Sequence, residues 1–248
     1  MKDYGVVTVK KIWTGKRIVS ALLIVFIFIF AMIALLTYYG QNVGCFTISM
    51  SDKASNQSIY ISTDPTFESY SPRLICDSLY QAKNIPYPVI KYEYARQTDG
   101  VYVSEDKSYI GYTFYLKNMG DESVSLRETM TVNQETKNVS SCCWLWQFEG
   151  ENDNVGTIYQ KKDDIPHEYE STYRQNRTEW GTSKSDQNTV ISKTIDNIEP
   201  QEIIKFTLIL WIEGDDPDCN DDILGGQINF NLQFTLVSES DASWWISI

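Results

Sequence analysis

The sequence predicts an all-β protein: an antiparallel β-sandwich of jelly-roll or immunoglobulin-like type, an ectodomain carried behind a single N-terminal transmembrane helix. Three observations predict it. From residue 41 onward, apolar side chains recur at every second position, with almost no helical period. Ten short runs of this kind are separated by turn-rich clusters, which suits stacked antiparallel strands better than alternating β and α units. Finally, residues 18–36, IVSALLIVFIFIFAMIALL, hold a single polar side chain, Ser20.

Residues 1–17 carry Lys2, Lys10, Lys11, Lys16 and Arg17 against Asp3, a local net of +4, and no charge follows Arg17 until Asp52. A helix over residues 18–39 is roughly 30 Å long, the hydrocarbon thickness of a bilayer. Trp13 on one flank and Tyr38 and Tyr39 on the other suit the interfacial belts. The basic flank places 1–17 in the cytoplasm and 40–248 outside, a single-pass cell-membrane topology with the lipid bilayer as partner of 18–39. A cleaved leader is the competing reading. Its apolar region is shorter, about 7–15 residues, and ends in a small-x-small site. Here the run is longer, and Tyr38 and Asn42 stand before Gly40 and Gly44.

Beyond the helix, strands are expected at 46–50, 58–62 and 89–95. A hairpin follows, with Ile110, Tyr112, Phe114 and Leu116 on one arm and Val124, Leu126, Met130 and Val132 on the other. Further strands are expected at 142–148, 156–160 and 189–195. Ile204, Phe206, Leu208, Leu210 and Ile212 form an inward row opposed by Lys205, Thr207 and Trp211. The cleanest alternation is 228–236, INFNLQFTL, apolar at each even position. Residues 64–88, rich in proline, read as a loop with one turn of helix, and 161–187 as an exposed insertion. No internal repeat or second soluble domain is evident.

Acidic residues outnumber basic ones 33 to 21, a net of −12, and with +4 in residues 1–17 the remainder of the chain carries −16. Such a field argues against a nucleic-acid partner, because phosphate neutralisation needs clustered Lys and Arg. His167 is the one histidine. Catalytic zinc commonly uses more than one, and no Gly-x-Ser-x-Gly elbow accompanies it, so no catalytic residue is assigned and no enzyme is expected.

Cys45, Cys76, Cys142, Cys143 and Cys219 all fall on the outer side, where disulfides persist. No C-x-x-C spacing occurs. Two bridges with one thiol over is the simplest arithmetic, with connectivity open, and vicinal Cys142 and Cys143 point to opposite faces of a strand. Asn56, Asn138 and Asn176 head N-x-[ST] acceptor patterns. Six carboxylates lie within 213–222, EGDDPDCNDD. Asp216, Asp218 and Asn220 match positions 1, 3 and 5 of a calcium loop, but Asp221 stands where Gly is needed and Gln227 where the bidentate Glu belongs. An oxygen cage from Asp215, Asp216, Asp218, Asn220 and Asp222 remains a speculative calcium site beside the plainer reading of a solvated loop. No other cofactor is expected. Trp144, Trp146 and Phe148 share one strand face, a platform for sugar rings or a core row. The apolar end, SWWISI, docks as a last strand or pairs with another copy by strand addition.

The hairpin YIGYTFYLKNMGDESVSL, the segment GCFTISMSDKASNQSIYISTDPTFESYSPRLICDSL and the paired strands ending in WIEGDDPDCNDDILGGQINFNLQF carry a resemblance. Over most of residues 44–238 the chain resembles membrane-anchored surface proteins of Firmicutes, distantly related to the TasA/camelysin family of biofilm-matrix proteins. The resemblance implies a jelly-roll-like domain displayed outside a Gram-positive cell. It also implies a non-enzymatic role in adhesion, matrix or envelope assembly with other surface proteins. Unlike most of that group, this chain keeps its span and has five cysteines. A glycan- or peptide-binding module at the envelope is the alternative.

Overall fold

A computed structural model describes residues 15–40, 45–79, 81–165, 176–183 and 186–237. The chain divides into two compact units, Met1–Val43 and Gly44–Ile248. In the first, helix α1 runs Gly15–Gly40, 26 residues, about 39 Å at 1.5 Å per residue. A helix therefore covers the expected 18–39. Among the described residues no helix is long and apolar enough to cross a membrane.

The second unit is built of two sheets. The five-stranded sheet has the order β11(Thr189–Ile198), β7(Val124–Glu135), β13(Ile228–Leu236), β1(Phe46–Met50), β3(Arg73–Cys76). The eight-stranded sheet has the order β10(Arg177–Trp180), β9(Thr157–Lys161), β8(Cys143–Glu149), β12(Ile203–Glu213), β6(Tyr109–Asn118), β2(Ile59–Ser62). To it β4(Asn84–Ile85) adds on β12, and β5(Gly100–Val103) on β6. Alternation works as expected: Phe230, Leu232 and Phe234 are buried while Gln233 is exposed. Phe234 meets Phe206 at 5.5 Å and Phe114 at 6.2 Å, ring to ring, joining the sheets in one apolar core.

Three features differ from expectation. Both sheets are mixed rather than antiparallel. The first strand runs parallel to the last, Phe46 opposite Phe230 and Ile48 opposite Leu232, and β9–β10 and β4–β12 are also parallel. Period two reveals which face a side chain takes and says nothing of strand direction.

Residues 89–95 do not form a strand. A 3-10 turn, Tyr87–Val89, opened by Pro86, leads into helix α3(Tyr92–Gln97), the short helix α2(Asp52–Asn56) having followed β1. Tyr92 and Ala95, three apart, face the sheet, whereas Tyr94 is 54% exposed. Gly111 permits this: a Cβ there would lie 2.5 Å from the Ala95 Cβ. The expected loop 64–88 contains β3, antiparallel to β1, and the short β4. The insertion contributes β10, while 166–175 lie outside the described residues.

The turn and α3 roof the outer face of the eight-stranded sheet. Ile90 and Ala95 pack with Trp144, Trp146, Phe148, Ile209 and Trp211 in a second core. Tyr87 lies 5.0 Å from Trp146 and Tyr92 5.1 Å from Phe148, ring to ring. The central strands are thus buried on both faces.

Candidate metal centre and cysteine pairs

The acidic loop begins where β12 leaves the sheet. Glu213, fully buried, accepts from Trp211 Nε1 at 3.0 Å, Tyr87 N at 2.9 Å and Asp215 N at 3.1 Å. Burial raises its carboxyl above the usual range. Asp216, also buried, accepts from Trp144 Nε1 and from Asp218 N, both at 2.9 Å. Burial pushes it up to about 6, more than these donors pull it down, with Asp163 and Asp218 adding repulsion. Asp218, buried too, accepts from Asp164 N at 2.8 Å and Ile165 N at 3.3 Å, tying the loop to the segment after β9.

These links gather Asp163, Asp216 and Asp218, one carboxylate oxygen of each lying within 4.8 Å of the others. Gln160, wholly buried, donates from Nε2 to Asp163 Oδ1, and its Oε1 has no hydrogen-bond partner. The Arg177 guanidinium lies 5.7 Å over the Trp144 ring on the same side of the sheet. Three carboxylates form an oxygen-only donor set, the kind calcium takes, and the Gln160 amide is bonded to one of them.

Of the five residues marked in the sequence, Asp216 and Asp218 enter this cluster. Asp215, Asn220 and Asp222 are exposed, and Asn220 Oδ1 is spent accepting from Asp222 N at 2.9 Å in the cap of a 3-10 turn, Asp221–Ile223. Asp163 and Gln160 were not marked, because they come from a distant strand end and no local spacing reveals them. His167 lies outside the described residues, as do Trp244 and Trp245. The aromatic row of Trp144, Trp146 and Phe148 is buried beneath Tyr87 and Tyr92 and offers no open platform.

The five cysteines stand as thiols. Cys45 and Cys76, both buried, have their sulfurs 3.6 Å apart. The Cys142 and Cys219 thiols influence each other's titration. Hydrogen bonding to Cys45, then burial, raises Cys76; hydrogen bonding to Cys219, then burial, raises Cys142. The same bond from Cys142 lowers Cys219. Cys143 starts β8 in the inter-sheet core, 2% exposed, and burial raises its thiol.

A separate polar network penetrates the core. Glu128 on β7 is wholly buried; its Oε1 accepts from Gln147 Nε2, and its Oε2 lies 3.4 Å from Lys193 Nζ. Lys193 also binds Glu149 Oε2 at 2.6 Å and Gln147 Oε1 at 3.2 Å. Burial pushes Glu128 up to about 7, only partly offset by Lys193. Burial works against the Lys193 ammonium, yet the Glu128 and Glu149 carboxylates hold it above its ordinary value.

No protein-family model matches the chain, and no curated protein matches it. Among solved structures it is similar to a β-glucosidase from Kluyveromyces marxianus, in complex with glucose, at 8% identity and a TM-score of 0.24. The alignment covers 74% of this chain and 16% of that one, and so weak a likeness carries no argument.

Proposed function

We propose that the chain is a single-span membrane protein that holds its β-sandwich outside the cell. There it works through its protein surface, in adhesion, matrix or envelope assembly, rather than as an enzyme. One observation carries this reading. The nine consecutive side chains Leu22–Phe30 on α1 are apolar and 51–69% exposed, so the helix is greasy on every face. Water does not tolerate such a surface, and hydrocarbon does. The basic residues before it orient the helix with the sandwich outward. The resemblance to TasA/camelysin-type surface proteins supports the same role. Protease added to intact cells is expected to release the sandwich as one large fragment. A fragment that survives until the bilayer is dissolved overturns the topology.

A second role for the same module is favoured by the orphaned Gln160 Oε1. A buried carbonyl oxygen without a donor is costly, and the amide that carries it is bonded through Nε2 to Asp163 of the carboxylate cluster. A calcium ion taken by Asp163, Asp216, Asp218 and Gln160 would satisfy that oxygen and screen the repulsion. Calorimetric titration with calcium is expected to give heat and a higher melting temperature. Neither effect at millimolar calcium ends this reading.

A further inference from the structure

We infer that four of the five cysteines form two disulfides, Cys45–Cys76 and Cys142–Cys219, and that Cys143 remains a thiol sealed in the core. The inference rests on the exterior placement of the sandwich, where such bonds persist. The sequence leaves many ways to draw two bridges from five cysteines, and the fold selects one.

For the first bridge, Cys76 is the register partner of Phe46, so Cys45 sits one step diagonal to it. The Cys45 N–H donates to Cys76 O at 3.1 Å, which fixes the two backbones side by side. Their sulfurs, 3.6 Å apart, are within side-chain rotation of a covalent bond of about 2.05 Å.

For the second, Cys142 O accepts from Glu213 N at 2.9 Å, and Cys219 N donates to Asp216 O at 2.9 Å. The two residues are thus tied to the two ends of the acidic turn, Cys142 to Glu213 and Cys219 to Asp216. Cys143, the next residue, points the other way, into the inter-sheet core. It lies near enough to Cys45 to feel its charge, but Cys45 directs its thiol hydrogen bonds to Cys76 and Asp77 O.

Each bridge forms by thiol–disulfide exchange with an oxidant that itself carries a disulfide, protein or small molecule. Cys219 is the more exposed of its pair, and its thiolate is favoured by the hydrogen bond from Cys142. It attacks the oxidant's S–S bond, making a mixed disulfide and releasing one oxidant thiolate. The Cys142 thiol then loses its proton and attacks the Cys219 sulfur, forming the Cys142–Cys219 bond and expelling the second oxidant thiolate. Two electrons pass to the oxidant and two protons are released. Cys45 and Cys76 are buried together, so the same exchange there precedes closure of the sheet.

The bridges have separate consequences. Cys45–Cys76 ties the strand that follows the helix to its edge neighbour, stapling the point where tension from an anchor enters the sandwich. Cys142–Cys219 clamps the turn that presents Asp216 and Asp218. Each is expected to raise the melting temperature by roughly 10 °C over the reduced protein.

The test uses the full chain, extracted from its host membranes in excess alkylating agent and digested without reduction. Peptide mapping by mass spectrometry is expected to find Cys45 linked to Cys76 and Cys142 linked to Cys219. A Cys143→Ser variant, which resolves the vicinal pair, should keep both links. Alkyl label on all five thiols, or a bridge that includes Cys143, overturns the inference. Protease shaving of the same cells separates the causes. Free thiols on a fragment released from outside refute the pairing alone, whereas free thiols on a protected fragment refute the exterior placement and the pairing with it. As a further check, a Cys45→Ser/Cys76→Ser variant should melt lower in non-reducing buffer, and an unchanged melting temperature overturns the first bridge.

Discussion

Replacing Glu128 by Gln should stabilise the protein at alkaline pH and leave it no better off in acid. Glu128 is fully buried between the sheets, and its Oε2 makes no hydrogen bond. Its carboxyl stands at about 7, against an ordinary value of 4.5. The raised value means the folded protein holds a proton that the unfolded chain has released. Stability therefore falls as pH rises from about 4.5 to 7, and is flat above. A gap of this size is worth about 3 kcal/mol at ~1.36 kcal/mol per pH unit. Glutamine cannot ionise and escapes that cost. It keeps an acceptor for Gln147 Nε2 but sets an amide N–H₂ toward Lys193 Nζ, which takes back about 1 kcal/mol. Lys193 still has Glu149 at 2.6 Å, so no unpaired ammonium is left behind. The expected gain is about 2 kcal/mol at pH 8, with a small loss at pH 5. Urea unfolding at both pH values, followed by tryptophan fluorescence, measures it. A variant less stable than the parent at pH 8 would show that attraction to Lys193 outweighs burial, and the reasoning would fail.

Gly111→Ala should destabilise by about 1–3 kcal/mol, because its new methyl overlaps the Ala95 Cβ and lifts α3 from the sheet; thermal melting and the near-ultraviolet dichroism of the outer aromatic cluster report it. Asp216→Asn should raise the melting temperature above pH 6 without calcium, since burial pushes that carboxyl up to about 6, and should abolish any rise that calcium gives. An unchanged calcium response in this variant would remove Asp216 from the donor set. Trp144→Phe deletes the indole donor to Asp216 and should cost about 1–3 kcal/mol, mostly above pH 6, where the carboxylate is charged; a loss equal at pH 4 and pH 8 would mean that only packing was removed.

How much was legible depended on whether burial was one-sided. In 228–236 Phe230, Leu232 and Phe234 meet the core while Asn231, Gln233 and Thr235 are half-buried or exposed, so composition alternates and the strand can be read directly. β6, β8 and β12 belong to a sheet covered on both sides, and only half of their logic shows. Phe206, Leu208 and Leu210 were readable as an inward row, but Trp211, set opposite them, faces a second core rather than water. The covering segment was misread for a related reason. Ile90, Tyr92 and Tyr94 alternate like a strand, yet the contact surface is formed by Ile90, Tyr92 and Ala95, and its decisive partner is Gly111, distant in sequence. Asp163 joins Asp216 for the same kind of reason: strand pairing brings them together, and pairing is not written in local spacing.

The acidic loop shows how the second core constrains the chemistry beside it. Two indoles, Trp144 and Trp211, lie wholly buried on the outer face of the sheet, and a buried indole N–H needs an acceptor. Neighbouring backbone carbonyls are committed to the ladder between β8 and β12. Glu213 and Asp216 supply the acceptors, one for each ring. Carboxylates are stronger acceptors than amides, and their burial is offset by the backbone N–H groups of Tyr87, Asp215 and Asp218. Two of the six acids in the loop are thus explained by tryptophan. Asp218 is explained by its hold on the segment after β9. That hold, made while Asp216 serves its indole, draws Asp163 toward them both. Concentrated negative charge at this corner follows from aromatic packing, and the cation reading rests on what packing leaves over, the carbonyl of Gln160.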